Sequence, residues 1–170
     1  EIVEAIRKRP THSNIRQPGF GVGGYCLTKD PLFAKVGAEI FFEKKINFEF
    51  TEKAVEVNKK MPLAVLNKLK QVFGNDLSNL KILILGVSYR QDIGDTRNSP
   101  SEILVRELIK NGSEVSFHDP VVTYWEEIKT SVLNTLPRGD TFDAIILAVP
   151  HKEYKEIDFS KWLNNPKTTL

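Results

Sequence analysis

The residues best suited to chemistry cluster in Pro18-Gly-Phe-Gly-Val-Gly-Gly-Tyr-Cys26-Leu-Thr-Lys-Asp30-Pro31. Four glycines fall within six residues there. A backbone without Cβ atoms can approach a ligand closely and turn its N–H groups toward it. The spacing predicts a helix over Leu27–Ala38, with Leu32, Phe33 and Val36 on one face. The loop runs straight into it, so that the first turn holds Cys26, Lys29 and Asp30. A thiol at a helix N-terminus, beside an ammonium, is expected to have a lowered pKa and to be the better nucleophile for it. Asp30, four residues after Cys26, falls on the same helical face and can act as a base toward water. Each feature also has a plainer reading: a lone cysteine is usually a small buried hydrophobe, and a glycine cluster can be only a tight turn. The combination of glycine loop, thiol, cation and carboxylate is what argues for a nucleophile.

A second group lies in Gly86-Val-Ser-Tyr89-Arg90-Gln-Asp92-Ile-Gly94-Asp95-Thr-Arg97-Asn-Ser99. It follows a short apolar strand, where α/β folds place their ligands. It lacks the G-x-G-x-x-G spacing of a dinucleotide site. Arg90 or Arg97 suits a phosphorylated ligand, with Tyr89 offering an aromatic face. Equally, Arg97 can pair with Asp92 or Asp95 and only fix the loop. Asp119 closes the next strand where a ribose-binding acid would sit, but without the glycine fingerprint that position says little. His12, His118 and His151 have no metal-ligand spacing, and no metal site is expected.

The elements that must position these groups fall in two blocks. Ile2, Val3 and Ile6 suit the tail of a helix over residues 1–9, and two Pro and four Gly make 10–24 a loop. Residues 40–50 are ambiguous. Ala54, Val57, Met61, Val65, Leu69 and Val72 form one stripe of a long amphipathic helix over 51–73, with a kink or a break and restart at Pro62. Its stripe packs within the chain or makes a subunit interface. From Lys81 the pattern becomes α/β: a strand to Gly86, a helix opened by Ser99-Pro100-Ser101-Glu102 as a capping box and ended by Gly112, a strand over Glu114–His118 and another over Phe142–Val149. Apolar strands joined through a helix imply a parallel, Rossmann-like sheet. The expected fold class is therefore α/β. A helical segment over 1–78 carries the cysteine loop, and a Rossmann-like parallel α/β domain covers 79–170.

Composition narrows the partners. Of 170 residues, 41% are hydrophobic and 27% charged, the balance of a globular chain. A net charge of +2 is too near neutral to argue for nucleic acid. One cysteine excludes an internal disulfide, and the apolar runs are too short to cross a bilayer. The chain opens on Glu1 without an initiator Met, in a helix already under way, and stops at Thr168-Thr169-Leu170 as a strand is beginning. It is expected to be a piece of something longer.

At both motifs the sequence resembles the UDP-glucose/GDP-mannose dehydrogenase family, the nucleotide-sugar 6-dehydrogenases. Gly19-Phe-Gly-Val-Gly-Gly-Tyr-Cys26-Leu-Thr-Lys-Asp30 resembles its catalytic-cysteine motif. Leu85-Gly-Val-Ser-Tyr-Arg-Gln-Asp-Ile-Gly-Asp-Thr-Arg-Asn-Ser-Pro100 resembles the opening of its C-terminal nucleotide-sugar domain. The resemblance covers essentially the whole chain. It implies the end of a central helical domain that dimerises through the 51–73 helix, followed by most of the C-terminal domain. The NAD-binding domain would lie outside.

The implied reaction oxidises the C6 alcohol of a UDP-sugar to a uronic acid with two NAD+, in the cytoplasm, for polysaccharide biosynthesis. By motif position, Cys26 would be the nucleophile that carries a thiohemiacetal and then a thioester. Asp30 would position or activate water. Asn14, Gly19, Gly23, Tyr89 and Arg90 would hold the nucleotide sugar, and Lys29 and Arg97 would reach the cofactor. Three departures accompany this. The family's catalytic lysine and asparagine would lie upstream of Glu1, so the isolated chain is expected to be inactive. The arginine ahead of the glycine loop has no secure counterpart, Arg9 being nearest, and Arg90 stands where lysine is usual. Pro18, Val22 and Pro31 lean toward N-acetylated hexosamines, whereas Lys29-Asp30 leans toward UDP-glucose. The alternative is a nucleotide-binding or oligomerisation module that does no chemistry.

Overall fold

Lys81–Leu85 forms β1, the centre of a three-stranded parallel sheet in which Glu114–His118 (β2) and Ala144–Leu147 (β5) flank it. The computed structural model describes residues 1–15, 17 and 19–163, so Pro18 and the strand expected near 168–170 lie outside it. In register, Leu83 sits between Ser116 and Ile145. Side chains alternate across a strand. Accordingly Ile82 and Ile84 enter one core with Leu104, Val105, Leu108 and Trp125, while Leu83 and Leu85 enter a second with Ile145 and Tyr154. Burial on both faces explains why β1 reads as an unbroken apolar run. Tyr124–Trp125 (β3) and Thr130–Ser131 (β4) add a small antiparallel pair that the sequence pattern did not signal.

The helices follow the expected order with shifted bounds. Ile2–Arg7 is α1, and the loop after it contains one 3-10 turn at Pro10–His12. The expected helix over 27–38 is displaced: a 3-10 turn at Asp30–Leu32 leads into α2, Phe33–Phe42. Pro31 accounts for the shift, since proline suits an opening turn and disfavours helical geometry in the residue before it. Cys26 therefore lies in a separate turn, its carbonyl accepting from the amides of Lys29 at 3.1 Å and Asp30 at 2.9 Å. The anticipated long helix is two, α3 (Glu49–Lys60) and α4 (Leu63–Phe73), because Pro62 has no N–H to continue the ladder. Leu66 and Leu69 of α4 join the core of the α/β unit. Pro100–Lys110 is α5, opened by the Ser99 hydroxyl, which accepts from Ser101 N at 3.3 Å. The expected capping box does not close. Ser99 N donates to Thr96 O, and the Glu102 carboxylate instead takes Arg106 Nε at 2.8 Å. β5 is shorter than the expected strand, and Phe159–Leu163 (α6) covers the second core.

From β1 the chain goes first to one side and then crosses to the other, so the carboxyl ends of β1 and β5 meet at a topological switch point. Gly86 makes that meeting possible. Its φ is +93°, and a Cβ there would lie 2.5 Å from Val149 Cβ.

Beneath the switch point sits a buried polar cluster. Asp119 Oδ2 accepts from the amides of Val87 at 2.8 Å and Ser88 at 3.0 Å, and Oδ1 accepts from Val121 N at 3.0 Å. Burial pushes this carboxyl up. Hydrogen bonds from His151 and the three amides outweigh that and hold it below the usual carboxylate range. The Tyr154 hydroxyl donates to His118 O and accepts from His118 Nδ1, each at 2.9 Å. His118 Nε2 is then buried without a hydrogen-bond partner among the described residues. Burial, the largest influence, holds the His118 imidazole below its ordinary range.

Two predictions follow from this geometry. Gly86→Ala should cost about 3 kcal/mol, from strain at positive φ together with overpacking against Val149. That corresponds to roughly 6 to 12 °C in melting midpoint, and an unchanged midpoint would contradict the close approach. His118 sets a pH dependence. The unfolded imidazole takes its proton first, so the contribution is intact above about pH 6.5 and drains away as pH falls. His118→Asn keeps an N–H for Tyr154. Urea unfolding should show the wild type losing more stability between neutral and mildly acid pH than this variant.

Candidate active site

Helix α3 anchors the glycine loop through one side chain. Asn58 Oδ1 accepts from Val22 N at 2.8 Å, and Asn58 Nδ2 donates to Val22 O at 2.7 Å. This two-way bond fixes the loop as a strand partner would. The loop then lies against the segment between β1 and α5. Gly24 N donates to Arg97 O at 3.0 Å, and Gly24 O accepts from Thr28 Oγ1 at 2.8 Å and Asn98 Nδ2 at 3.3 Å. A Cβ at Gly23 would come within 2.7 Å of both Asn98 O and Tyr89 Cβ, and Gly24 has φ +87° beside the Tyr89 ring. The two glycines thus serve contact between the motifs. The amides of Val22 and Gly24 are bonded inside the protein rather than left for a ligand.

The structure brings Cys26, Lys29, Asp30, Gly23, Tyr89 and Arg97 into one neighbourhood. Cys26 is exposed. It does not stand on a helix N-terminus, since α2 begins seven residues on, so the helix-dipole part of the expectation fails. Lys29 Nζ bonds Asp30 Oδ1 at 2.6 Å, and Asp30's carboxylate holds the Lys29 ammonium above its ordinary range. The same ammonium stands 4.4 Å from the Tyr25 ring centre and 4.6 Å from that of Phe33. The Arg97 guanidinium stands 5.6 Å from Tyr25. Tyr25 is thus an aromatic post between two cations.

Arg97 also takes Asp95 in a forked bond, Nε to Oδ1 at 3.0 Å and Nη2 to Oδ2 at 2.6 Å. Of the two readings of Arg97, the local pairing occurs, with Asp95 and not Asp92. The hydrogen bond from Arg97 holds the Asp95 carboxyl below the usual carboxylate range. The Arg97 side chain remains 61% exposed, so pairing leaves it able to meet a ligand.

Tyr89 is half-buried and Arg90 exposed beside it, while Gly19 is exposed with open space where a Cβ would be. Asn14 is exposed in the turn after Pro10–His12, and no side-chain hydrogen bond among the described residues joins it to the cysteine cluster. A cavity of about 900 Å³ lies behind the loop, walled by Val22, Leu27, Pro31, Ala54, Met61 and Ile103. The lining is mostly apolar, and Lys53, Lys59, Asn98 and Ser99 add polar groups to it. Sequence reasoning missed Asn58, Asn98 and Tyr25. Asn58 carried a faint signal as a poor helix former inside a helix.

Comparison with known proteins identifies the family. Residues 83–169 match the UDP-binding domain of the UDP-glucose/GDP-mannose dehydrogenase family, and residues 1–60 match its central domain. A UDP-N-acetyl-D-mannosamine dehydrogenase of Methanocaldococcus jannaschii is 36% identical over 93% of this chain and 34% of its own length. Among solved structures, a UDP-D-ManNAc dehydrogenase from Pyrococcus horikoshii aligns at TM-score 0.71 and 28% identity, over 98% of this chain and 38% of that one. An NDP-N-acetyl-D-galactosaminuronic acid dehydrogenase from Methanosarcina mazei aligns at 0.76 and 26%, over 89% of this chain and 33% of that one. The chain spans about a third of the length of the relatives it matches. With family models over both blocks and both motifs in contact, the chain belongs to the UDP-glucose/GDP-mannose dehydrogenase family.

Proposed function

We propose that this chain is the cysteine-loop and nucleotide-holding part of an NAD-dependent UDP-sugar 6-dehydrogenase. The observation that carries the reading is the direct contact between the two motifs, Gly24 N to Arg97 O at 3.0 Å, which sets the loop of an exposed thiol against Tyr89. Tyr89 offers a face to the nucleotide and Arg90 a charge to its phosphates. Cys26 Sγ bonds to the C6 aldehyde carbon and retains the sugar as a thiohemiacetal, and water opens the later thioester. Asp30, held by Lys29, orients that water. The described residues fit the outer side of a dinucleotide site only: Arg97 is exposed and Lys29 stands beside it at Tyr25, but the G-x-G-x-x-G turn is missing after β1. NAD, when bound, supplies the hydride acceptor for the two oxidations.

A UDP-N-acetylhexosamine is the favoured substrate. Relatives at 36% and 34% identity are named UDP-N-acetyl-D-mannosamine dehydrogenases, against 27% for a UDP-glucose 6-dehydrogenase of Rickettsia bellii. The product, a sugar acid on UDP, suits cytoplasmic polysaccharide synthesis, and a free thiol suits a reducing compartment. No described helix is long and apolar enough to cross a membrane. We further propose a homodimer through the 51–73 helical region, supported by exposed Phe50 at 88% and by Val57, Met61 and Val72 near one half.

Titration of the chain with UDP should raise its melting midpoint by mass action. Arg90→Ala should weaken UDP by about tenfold, the scale of one lost charged hydrogen bond. The chain alone should produce no NADH from NAD+ and UDP-sugars. Absence of a UDP shift, or steady NADH production, would contradict the reading, and a thiol no more reactive than a peptide cysteine in an active enzyme would remove Cys26 from the chemistry. Sedimentation should show a dimer that Phe50→Asp converts to monomer; a monomeric wild type would contradict the interface.

A further inference from the structure

The buried cluster under the switch point contains a serine, a histidine and an aspartate in contact, Ser88, His151 and Asp119. Their geometry is not that of a nucleophile. Ser88 Oγ and Asp119 Oδ2 both lie on the same imidazole nitrogen, Nε2, at 3.1 and 3.2 Å. Nδ1 is occupied by the backbone amide of Asp92 at 2.9 Å. All three side chains are essentially inaccessible, and Ser88 Oγ donates its proton to Arg90 O at 3.1 Å. An amide pointing at Nδ1 requires a lone pair there, so the imidazole is neutral with its proton on Nε2. That proton is shared between Asp119 and Ser88, and Ser88 passes its own to the carbonyl of Arg90.

The result is a chain of hydrogen bonds ending on both sides of the segment 88–92. One end holds Arg90 O through Ser88. The other holds Asp92, whose φ is +56°, a conformation that costs energy unless something fixes it. A second bond completes a clasp: Lys152 N donates to Asp92 Oδ1 at 3.0 Å. That clasp keeps the Asp92 carboxyl below the usual carboxylate range. Between these anchors lie Tyr89 and Arg90. Tyr89 N is tied in turn to Asp95 O at 2.8 Å, two residues before Arg97, whose carbonyl meets Gly24.

We propose that His151 is a positioning residue for nucleotide binding, and that with the Asp92–Lys152 clasp it sets the turn presenting Tyr89 and Arg90. The proposal rests on the reading of Tyr89 and Arg90 as nucleotide contacts given above. It adds a residue from the turn after β5, about sixty positions downstream of the motif it serves. The hydrogen-bond chain also explains why an α/β domain buries a neutral histidine on a charged aspartate: the pair is the internal half of a surface device.

Calorimetric titration of the chain and its variants with UDP and with uridine tests this. Asp92→Asn keeps the acceptor for Lys152 N and tolerates positive φ, so its UDP affinity should stay within about twofold of wild type. Asp92→Gly relieves the backbone but removes the acceptor, and should weaken UDP by about tenfold while leaving the melting midpoint nearly unchanged. His151→Phe fills the same space without either bond and should weaken UDP at least as much. If that buried variant fails to fold, the exposed Asp92 pair carries the test. The loss should be larger for UDP than for uridine, because Arg90 is the charged member of the segment; a general loosening would lower both alike. Unchanged UDP affinity in Asp92→Gly, or equal losses for the two ligands, would overturn the proposal alone. A wild-type chain that does not bind UDP removes the earlier reading and this one with it.

Discussion

Everything that can be called a site in this protein depends on two polypeptide segments approaching closer than side chains allow. At Gly23 an added methyl would meet both a backbone oxygen and the Tyr89 side chain at 2.7 Å, and at Gly86 it would meet Val149 at 2.5 Å. Distances so short leave no room for adjustment in a packed interior. The first contact brings the cysteine loop onto the β1–α5 segment, and the second brings β5 onto the end of β1, whence that segment departs. Without the second, the segment would leave the sheet in a different direction, and the first would have nothing to meet.

Polar groups hold these approaches in unequal ways. The forked Arg97–Asp95 pair and the Lys29–Asp30 pair lie at the surface, where solvent and salt weaken charge pairing. The cluster around Asp119 lies where an unmade hydrogen bond is costly. A buried carboxylate with three backbone amides and a histidine around it is therefore a much stiffer anchor than any exposed ion pair. Loop position is set from the inside, while the exposed pairs keep charged side chains in place without binding them tightly.

Much of the fold was legible because burial on both faces leaves an apolar run, and because Pro62 and Ser99-Pro100 have local consequences. The details that failed were also local, decided by competition the pattern does not show. Pro31 opened its own turn and pushed α2 forward by several residues. Thr96 O took the amide that Glu102 was expected to cap, and Glu102 turned to Arg106. The site was legible as two motifs, since residue types such as thiol, ammonium and guanidinium announce themselves. What holds the motifs in place was not: Asn58, Asn98 and His151 act through hydrogen bonds to backbone thirty-six to seventy-four residues away. No periodicity records such a partner.

The corrected placement of Cys26 changes what must make its surroundings reactive. On a helix N-terminus the peptide dipoles of the chain itself would favour an anion. In the turn where the thiol stands, the nearby charges are two cations around Tyr25, each already paired with a carboxylate of its own. An anionic ligand alters that balance. A phosphate offers a guanidinium two oxygens at once, in the geometry it already uses with Asp95. Such an exchange would involve the side chain alone, since the bond of Arg97 to Gly24 uses its backbone carbonyl. Under the proposed reading Arg97 faces the dinucleotide, so an anionic group arriving there would reset the field around the turn that carries the thiol.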